Sequence, residues 1–275
     1  MDIDPSNVAA AQGWDGPTGD FWTDNADLFD AGVARYRSAF LAAAALEPDA
    51  RVLDVGCGAG QTSRDAARLA PAGHVTGIDL SARLLDLARR RAEREGLTNI
   101  TFTHGDAQIA DLGTGCHERV ISRTGVMFFG DPVAAFANLA RSLTPDGRLV
   151  AAVWQPYAEQ EWVSALRRAV GAGPLDGVGP FSLGDPDRVR EVLTAAGFGP
   201  PDLPGVREPM CLGPDLATAE RMALGIVGGL LDELAGPARD QAMTDLRAVL
   251  AAHLGPDGVT FDSAMWIVTA APAGR

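Results

Sequence analysis

Short apolar runs alternate with amphipathic stretches through the first 154 residues of the chain. Mainly apolar runs are typical of strands that are covered on both faces, and they lie at 52–55, 74–79, 100–103, 119–123 and 149–154. Apolar residues at helical spacing predict helices at 31–46, 61–69, 81–96 and 132–143. Strands that alternate with helices in this way predict an α/β fold with a doubly wound, mostly parallel sheet.

The second half of the chain has a less regular pattern. It predicts helices at 162–170 and 185–196, a weak strand at 206–212, an amphipathic helical pair at 216–234 and 238–254, and a final strand at 264–269. The helical pair is interpreted as a cap over one end of the sheet, inserted before the last strand. No internal repeat interrupts this order, so the pattern predicts one domain over 1–275.

Within that domain we predict six segments. Residues 1–46 form an N-terminal arm and helix, 47–154 a ligand-binding core, 155–184 and 213–258 insertions on the substrate side, and 185–212 with 259–275 complete the sheet. The arm contains glycines and a proline that break regular structure, yet Trp14, Phe21 and Trp22 are too apolar to be left in water. Two compatible interpretations remain: a segment pinned by its aromatic residues, or a lid.

Composition and charge exclude several classes of protein. The net charge is -13, whereas nucleic-acid binders carry a basic footprint, so we expect no nucleic-acid partner. The three cysteines cannot all pair and none lies in a C-x-x-C, which favours a reducing cytoplasm and no bound metal. The chain starts without the pattern of a signal peptide and lacks a continuous apolar run of about 18 residues, so we expect no stable membrane insertion. Monomer and homodimer both stay open.

The stretch Asp54-Val55-Gly56-Cys57-Gly58-Ala59-Gly60 organises the chemistry. It places an acidic residue and three alternate glycines after a buried strand, which predicts a nucleotide-type cradle at the carboxyl end of that strand. The glycine spacing departs from G-x-G-x-x-G, and no phosphate-binding G-x-x-x-x-G-K-S/T is present. Asp54 would repel a phosphate and suits a ligand with an ammonium group.

The D-V-G-C-G-A-G stretch resembles motif I of the class I S-adenosylmethionine (SAM) methyltransferases, and residues 51–154 resemble their Rossmann-like core. The resemblance implies SAM as cofactor and S-adenosyl-L-homocysteine (SAH) as product. It implies that the methionine moiety lies against Gly56, Cys57, Gly58 and Gly60, and that its amino group is bound by Asp54 and by the backbone carbonyl of Arg123. Asp79 would bind the ribose hydroxyls. Leu80 would pack on the adenine, Asp106 would accept from the adenine amino group, and the Ala107 N–H would donate to a ring nitrogen.

The phrases V-I-S-R-T-G-V-M-F-F and W-Q-P-Y-A-E-Q-E-W resemble ubiquinone- and menaquinone-type and related small-molecule methyltransferases of bacteria. This likeness implies a small-molecule acceptor but does not name it. Aromatic and apolar residues that follow the fourth and fifth strands are candidates for core or substrate wall in equal measure: Met127, Phe128, Phe129, Trp154, Tyr157 and Trp162. Trp22 of the arm is a further candidate for substrate binding.

No general base stands out, and none is required, because the sulfonium of SAM is already an activated methyl donor. The weak catalytic candidates are His104, Arg123, Tyr157 and His253, of which His253 is more readily interpreted as a packed core residue. The sequence favours transfer of a methyl group to O, N or C of a small, largely apolar metabolite by in-line displacement, through proximity and desolvation. Two alternatives stay open: a SAM-binding enzyme with a non-methylating reaction such as cyclisation, and a non-catalytic partner subunit.

Overall fold

The computed structural model describes residues 1–175, 177 and 179–274, apart from the side chains of residues 17 and 18. Positions 176 and 178 of the predicted insertion 155–184 therefore lie outside the described residues. The strands are β1 (Arg51–Val55), β2 (His74–Asp79), β3 (Ile100–His104), β4 (His117–Arg123), β5 (Leu143–Trp154), β6 (Gly205–Arg207), β7 (Met210–Gly213), β8 (Leu254–Gly255), β9 (Gly258–Phe261) and β10 (Ala264–Ala270).

Seven of these strands form one sheet in the order β3-β2-β1-β4-β5-β10-β6. The pairings from β3 through β5 are parallel, and β10 runs antiparallel to both β5 and β6. The predicted doubly wound, mostly parallel sheet is confirmed. Because the parallel strands share a direction, the carboxyl ends of β1, β2, β3 and β4 meet along one edge, where ligands bind in folds of this kind.

Helices cover the sheet and extend beyond it. They are α1 (Val8–Trp14), α2 (Pro17–Asp24), α3 (Ala26–Gly32), α4 (Arg37–Ala44), α5 (Gln61–Leu69), α6 (Ala82–Arg94), α7 (Pro132–Ser142), α8 (Glu161–Ala169), α9 (Pro186–Ala195), α10 (Leu216–Asp232) and α11 (Pro237–Ala252). The pair α10 and α11 packs on α8, and α10 also contacts α2. Among the described residues, none of the helices combines the length and apolarity needed to cross a bilayer.

The N-terminal arm differs from the expectation that its glycines break regular structure. It is largely helical over α1, α2 and α3. Pro17 begins α2, where the absence of its N–H leaves no helical bond unmade. A Cβ at Gly19 would lie 1.6 Å from the Trp14 carbonyl oxygen, so glycine is what lets α2 approach α1 this closely. The predicted helix 31–46 is also shorter: its regular part is α4, and a 3-10 turn at Ala34–Tyr36 precedes it.

The prediction of a single strand at 206–212 is wrong. Residues 205–207 pair with β10 in the large sheet, whereas 210–213 pair with β9 in a separate three-stranded sheet of order β7-β9-β8. Pro209 lies between them and cannot donate a backbone hydrogen bond, which ends the first pairing. The second sheet was not predicted. The predicted strand at 149–154 is longer in the structure: β5 begins at Leu143, and its register against β4 shifts between His117 and Arg119.

Candidate functional site

The glycine loop between β1 and α5 has a backbone that only glycine adopts readily. Gly56, Gly58 and Gly60 all have positive φ, at 64°, 52° and 76°. The Gly56 N–H donates to the Ile78 carbonyl at 2.9 Å, which ties the loop to β2. A Cβ at Gly56 would lie 2.8 Å from the Gly125 Cα, whereas one at Gly58 would meet nothing within 4 Å. Gly56 is therefore needed for packing, and Gly58 leaves open space beside the loop.

Asp79 ends β2 and holds the loop in place. Its Oδ2 accepts from the Gly58 N–H at 2.7 Å, and its Oδ1 accepts from the Ser81 N–H at 2.8 Å. Burial raises the pKa of Asp79 above its ordinary value, and the two backbone hydrogen bonds oppose that increase. The side chain lines the cavity described below. Asp79 thus joins the glycine loop, the end of β2 and the open space.

Asp54 lies beneath the loop. It is 1% exposed, and the Ser63 hydroxyl donates to its Oδ2. Burial raises the pKa of Asp54 to about 7, and Ser63 and Arg123 only partly offset this increase. Its Oδ1 has no hydrogen-bond partner among the described residues. Asp54 is not among the residues that line the cavity, so its predicted contact with an amino group requires a bridging group or a shift of the loop.

Asp106, beyond the end of β3, is held by the N-terminal arm. The Asn7 side-chain amide lies 2.9 and 3.0 Å from its two oxygens, and the Asp4 N–H donates to Oδ2 at 3.0 Å. The Gln108 N–H donates to Oδ1 at 2.9 Å. A carboxylate offers about four acceptor positions, and these bonds engage both oxygens. An adenine amino group at Asp106 would therefore compete with Asn7.

A cavity of about 430 Å³ opens at the carboxyl edge of the sheet. Several predicted residues lie along it together: Trp22, Gly56, Cys57, Gly58, Asp79, Leu80, Asp106, Ala107, Arg123, Met127, Phe128, Trp154 and Trp162. Other predicted residues do not line it: Asp54, Gly60, His104, Tyr157 and His253. Gly60 packs instead against α6 and β3, where a Cβ would lie 2.9 Å from the Ala88 Cβ and 3.0 Å from the Phe102 ring.

The weak catalytic candidates lie elsewhere or are already paired. The His104 Nε2 is 2.8 Å from the Leu80 carbonyl at an exposed position. His253 stacks on Phe261 with ring centroids 4.0 Å apart, which agrees with the packed interpretation. Tyr157 is buried against Phe181. Of the four candidates only Arg123 lines the cavity, and its guanidinium forms an ion pair with Asp30 of the arm.

Several lining residues were not singled out from the sequence. The arm contributes Asn7, Phe29 and Asp30, the segment after β4 contributes Thr124 and Gly125, and α8 and α10 contribute Val163, Arg167, Gly225 and Ile226. Phe129, a candidate from the sequence, also lines the cavity. Asn7 and Asp106 are 99 positions apart, and no local pattern indicates such a contact. The aromatic residues Trp14 and Trp22 were the available signal, and both line the cavity.

Comparison with known proteins agrees with this arrangement. A family model described as a methyltransferase domain matches residues 52–147. The chain is 31% identical to a nocamycin O-methyltransferase of Saccharothrix syringae over 55% of this chain and 60% of that protein. It is 30% identical to a demethylmenaquinone methyltransferase of Deinococcus radiodurans over 62% of this chain and 77% of that protein.

A solved structure shows a similar fold. It is the Haemonchus contortus phosphoethanolamine N-methyltransferase 2, in complex with phosphomonomethylethanolamine and S-adenosylhomocysteine. The similarity has a TM-score of 0.58 at 17% identity and covers 94% of this chain and 60% of that one. At this identity the likeness concerns the fold alone.

Proposed function

Because this chain belongs to the family of SAM-dependent methyltransferases, we propose that it transfers the methyl group of SAM to O, N or C of a small, largely apolar molecule. SAH is the second product. One observation carries the proposal: the glycine loop, Asp79 and a set of aromatic rings line one and the same cavity. A cofactor and an acceptor can thus meet in one shared cavity.

The residues at the cofactor end fit SAM. Gly58 presents open space where any side chain would protrude, which allows the methionine moiety to approach the backbone. Asp79 is a half-buried acceptor at the end of β2, in the position from which the ribose hydroxyls would be bound, and Leu80 and Ala107 supply apolar lining for the adenine. Asp106 fits less simply, because Asn7 and Asp4 already engage its oxygens.

Aromatic rings from the arm, the segment after β4, β5 and α8 line the rest of the cavity. Trp154 and Trp162 lie with ring centroids 5.2 Å apart, Trp22 and Phe29 5.4 Å apart, and Trp14 and Phe128 5.5 Å apart. SAM, when bound, supplies the activated methyl group. The rings exclude water and orient the acceptor, and positioning of this kind lowers barriers by roughly 7–11 kcal/mol in favourable cases. None of the described histidines lines the cavity, so the proposal assigns the protein alignment and desolvation rather than base catalysis.

The test begins with cofactor binding. Calorimetric titration with SAH should give a Kd for the unmodified chain, and Asp79→Ala should weaken binding about ten- to a hundredfold, since a hydrogen bond to a charged group contributes roughly 1.5–3 kcal/mol. The SAH affinity of Asp79→Asn should fall between those of the unmodified chain and Asp79→Ala, because one oxygen remains to accept from a backbone N–H. Asp86→Ala, an exposed carboxylate on α6, is the matched control and should bind SAH unchanged.

The second step tests methyl transfer itself. The chain is incubated with methyl-labelled SAM and a panel of small aromatic phenols, amines and acids. A labelled acceptor supports methyl transfer. SAH binding together with unlabelled but altered acceptor would instead favour the non-methylating alternative, and no SAH binding would contradict the proposal as a whole.

We propose further that the chain acts in the cytoplasm, as a monomer or homodimer. The cysteines support the assignment to the cytoplasm, because Cys57, Cys116 and Cys211 are all free thiols, as is usual in a reducing compartment. Cys57 is buried within the loop, where desolvation raises the pKa of its thiol well above the ordinary value. It is therefore an unreactive part of the cavity wall.

A further inference from the structure

Among the residues that the structure describes, one charged side chain at the acceptor end of the cavity is not used by the proposed methyl transfer. Arg167 lies near the end of α8 and lines the cavity together with Leu175 and Pro180. Its helix packs on α10 and α11 of the cap. The glycine loop, Asp79 and Asp106 come from the opposite half of the sheet, at β1, β2 and β3. Arg167 is therefore placed at the acceptor end rather than the cofactor end.

The other charged residues that are described along the cavity all have partners. Arg123 and Asp30 form an ion pair with each other, while Asp79 and Asp106 accept backbone or arm hydrogen bonds at the cofactor end. The Arg167 Nε donates to the Gly173 carbonyl at 2.6 Å. This bond uses one of the five N–H donors of the Arg167 guanidinium and orients the group without neutralising its charge.

The surroundings of Arg167 are otherwise aromatic and apolar. Trp154, Trp162 and Val163 lie along the same part of the cavity. A guanidinium at the border of such walls forms stronger bonds to an anion than it would in water, because the local dielectric is lower. The chain as a whole carries a net charge of -13, which repels anions, so an anionic acceptor would need a local cation of this kind.

We propose that the acceptor is a planar aromatic molecule that carries a carboxylate, and that Arg167 binds this carboxylate while the tryptophans hold the ring. The inference rests on the proposed function and narrows its acceptor class. Arg167 is a specificity-determining residue at the acceptor end of the cavity. Its guanidinium can bind both oxygens of a carboxylate in parallel.

The experiment compares 2-naphthoate with 2-naphthamide, which have the same rings but differ in charge. Each is titrated into the chain saturated with SAH. Four of the five tryptophans line the cavity, so quenching of tryptophan fluorescence reports binding. We expect the acid to bind about tenfold more tightly than the amide, a preference that decreases with added salt because Arg167 is partly exposed.

Variants identify the residue responsible. Arg167→Gln should remove the preference for the acid and leave affinity for the amide nearly unchanged, and Arg167→Lys should restore part of it. Arg168→Gln is the matched control, because Arg168 is the next residue on α8, is exposed and does not line the cavity. It should retain the full preference.

Three results would overturn the inference. They are equal binding of acid and amide by the unmodified chain, equal loss of both in Arg167→Gln, and binding of neither probe. The SAH titration keeps this apart from the proposed function. If SAH binds but the acid has no advantage, only the acceptor class is wrong, whereas a chain that does not bind SAH fails at the earlier step.

Discussion

The side-chain amide of Asn7 lies 2.9 and 3.0 Å from the two carboxylate oxygens of Asp106, across 99 positions of sequence. Both residues are 1% exposed. The same Asn7 accepts from the Gly130 N–H through its Oδ1. A single buried amide thereby joins the N-terminal arm to the segments that follow β3 and β4, and it closes the arm over the cofactor end of the cavity.

This contact predicts energetic coupling. Asn7→Ala and Asp106→Ala should each destabilise the chain, since each leaves a buried polar group without its partner, at about 1–3 kcal/mol. The double variant should lose less than the sum, and urea unfolding of the four proteins gives the difference. Gln12→Ala, an exposed amide on α1, should add to Asp106→Ala without coupling. Strict additivity for Asn7 and Asp106 would show that the contact has no energetic role.

The glycine loop offers a pair of substitutions that separate stability from binding. Gly56→Ala and Gly58→Ala both impose positive φ on alanine, which costs about 1–2 kcal/mol. Gly56→Ala should lose further stability, because its Cβ would lie 2.8 Å from the Gly125 backbone. Gly58→Ala adds its methyl group to open space beside the loop, so its larger effect should be on SAH affinity. Thermal unfolding and SAH calorimetry measure the two effects, and the reverse ranking would contradict the assignment.

The close contact between α2 of the arm and α10 of the cap depends on Gly225. A Cβ there would lie 1.9 Å from the Phe21 ring, whereas one at Gly228 on the same helix would meet nothing within 4 Å. Gly225→Ala should push α2 away from α10, with an overpacking penalty of about 1–3 kcal/mol, and expose the arm to protease.

Gly228→Ala provides the control for the contact between α2 and α10. It should stabilise α10 by about 1 kcal/mol, because alanine is the better helix former, and leave cleavage of the arm unchanged. Limited proteolysis followed by mass spectrometry distinguishes the two variants. Equal cleavage rates for both variants would mean that the contact between α2 and α10 does not keep the arm in place.

Asp54 predicts a pH dependence of stability. Its ordinary pKa is 3.8, and burial raises the folded value to about 7. Between these pH values the folded chain keeps a proton that the unfolded chain releases, so this carboxyl makes the chain less stable as pH rises, by at most about 1.4 kcal/mol per pH unit. The loss is complete above about pH 7 and absent below 3.8.

Asp54→Asn removes this titration. The stability of the variant relative to the unmodified chain should increase between pH 5 and pH 7.5, as measured by urea unfolding at each pH. Asp49→Asn, at an exposed position, should show the same relative stability at both. A constant difference for Asp54→Asn would mean that the carboxyl is already ionised in the folded chain at pH 5.

The strands of the large sheet from β1 to β5 could be located from the sequence because each is a short apolar run with its own local pattern. The split at Pro209 could have been predicted, since proline cannot donate to a ladder, but the apolar residues around it suggested one strand. The small sheet of β7, β8 and β9 had no such signal. Its pairing joins residues 210–213 to 258–261, and two helices separate these segments.

By itself the sequence determined the α/β class, the order of the strands along the chain, and the glycine loop with Asp79 and Asp106 at strand ends. These follow from local periodicity and from residue types that tolerate unusual backbone angles. Only the tertiary structure decided that the Asn7 amide donates to the Asp106 carboxylate, that Asp54 lies beneath the loop rather than along the cavity, and that Arg167 reaches the acceptor end. Such contacts join positions far apart in the chain, and packing rather than local preference brings them together.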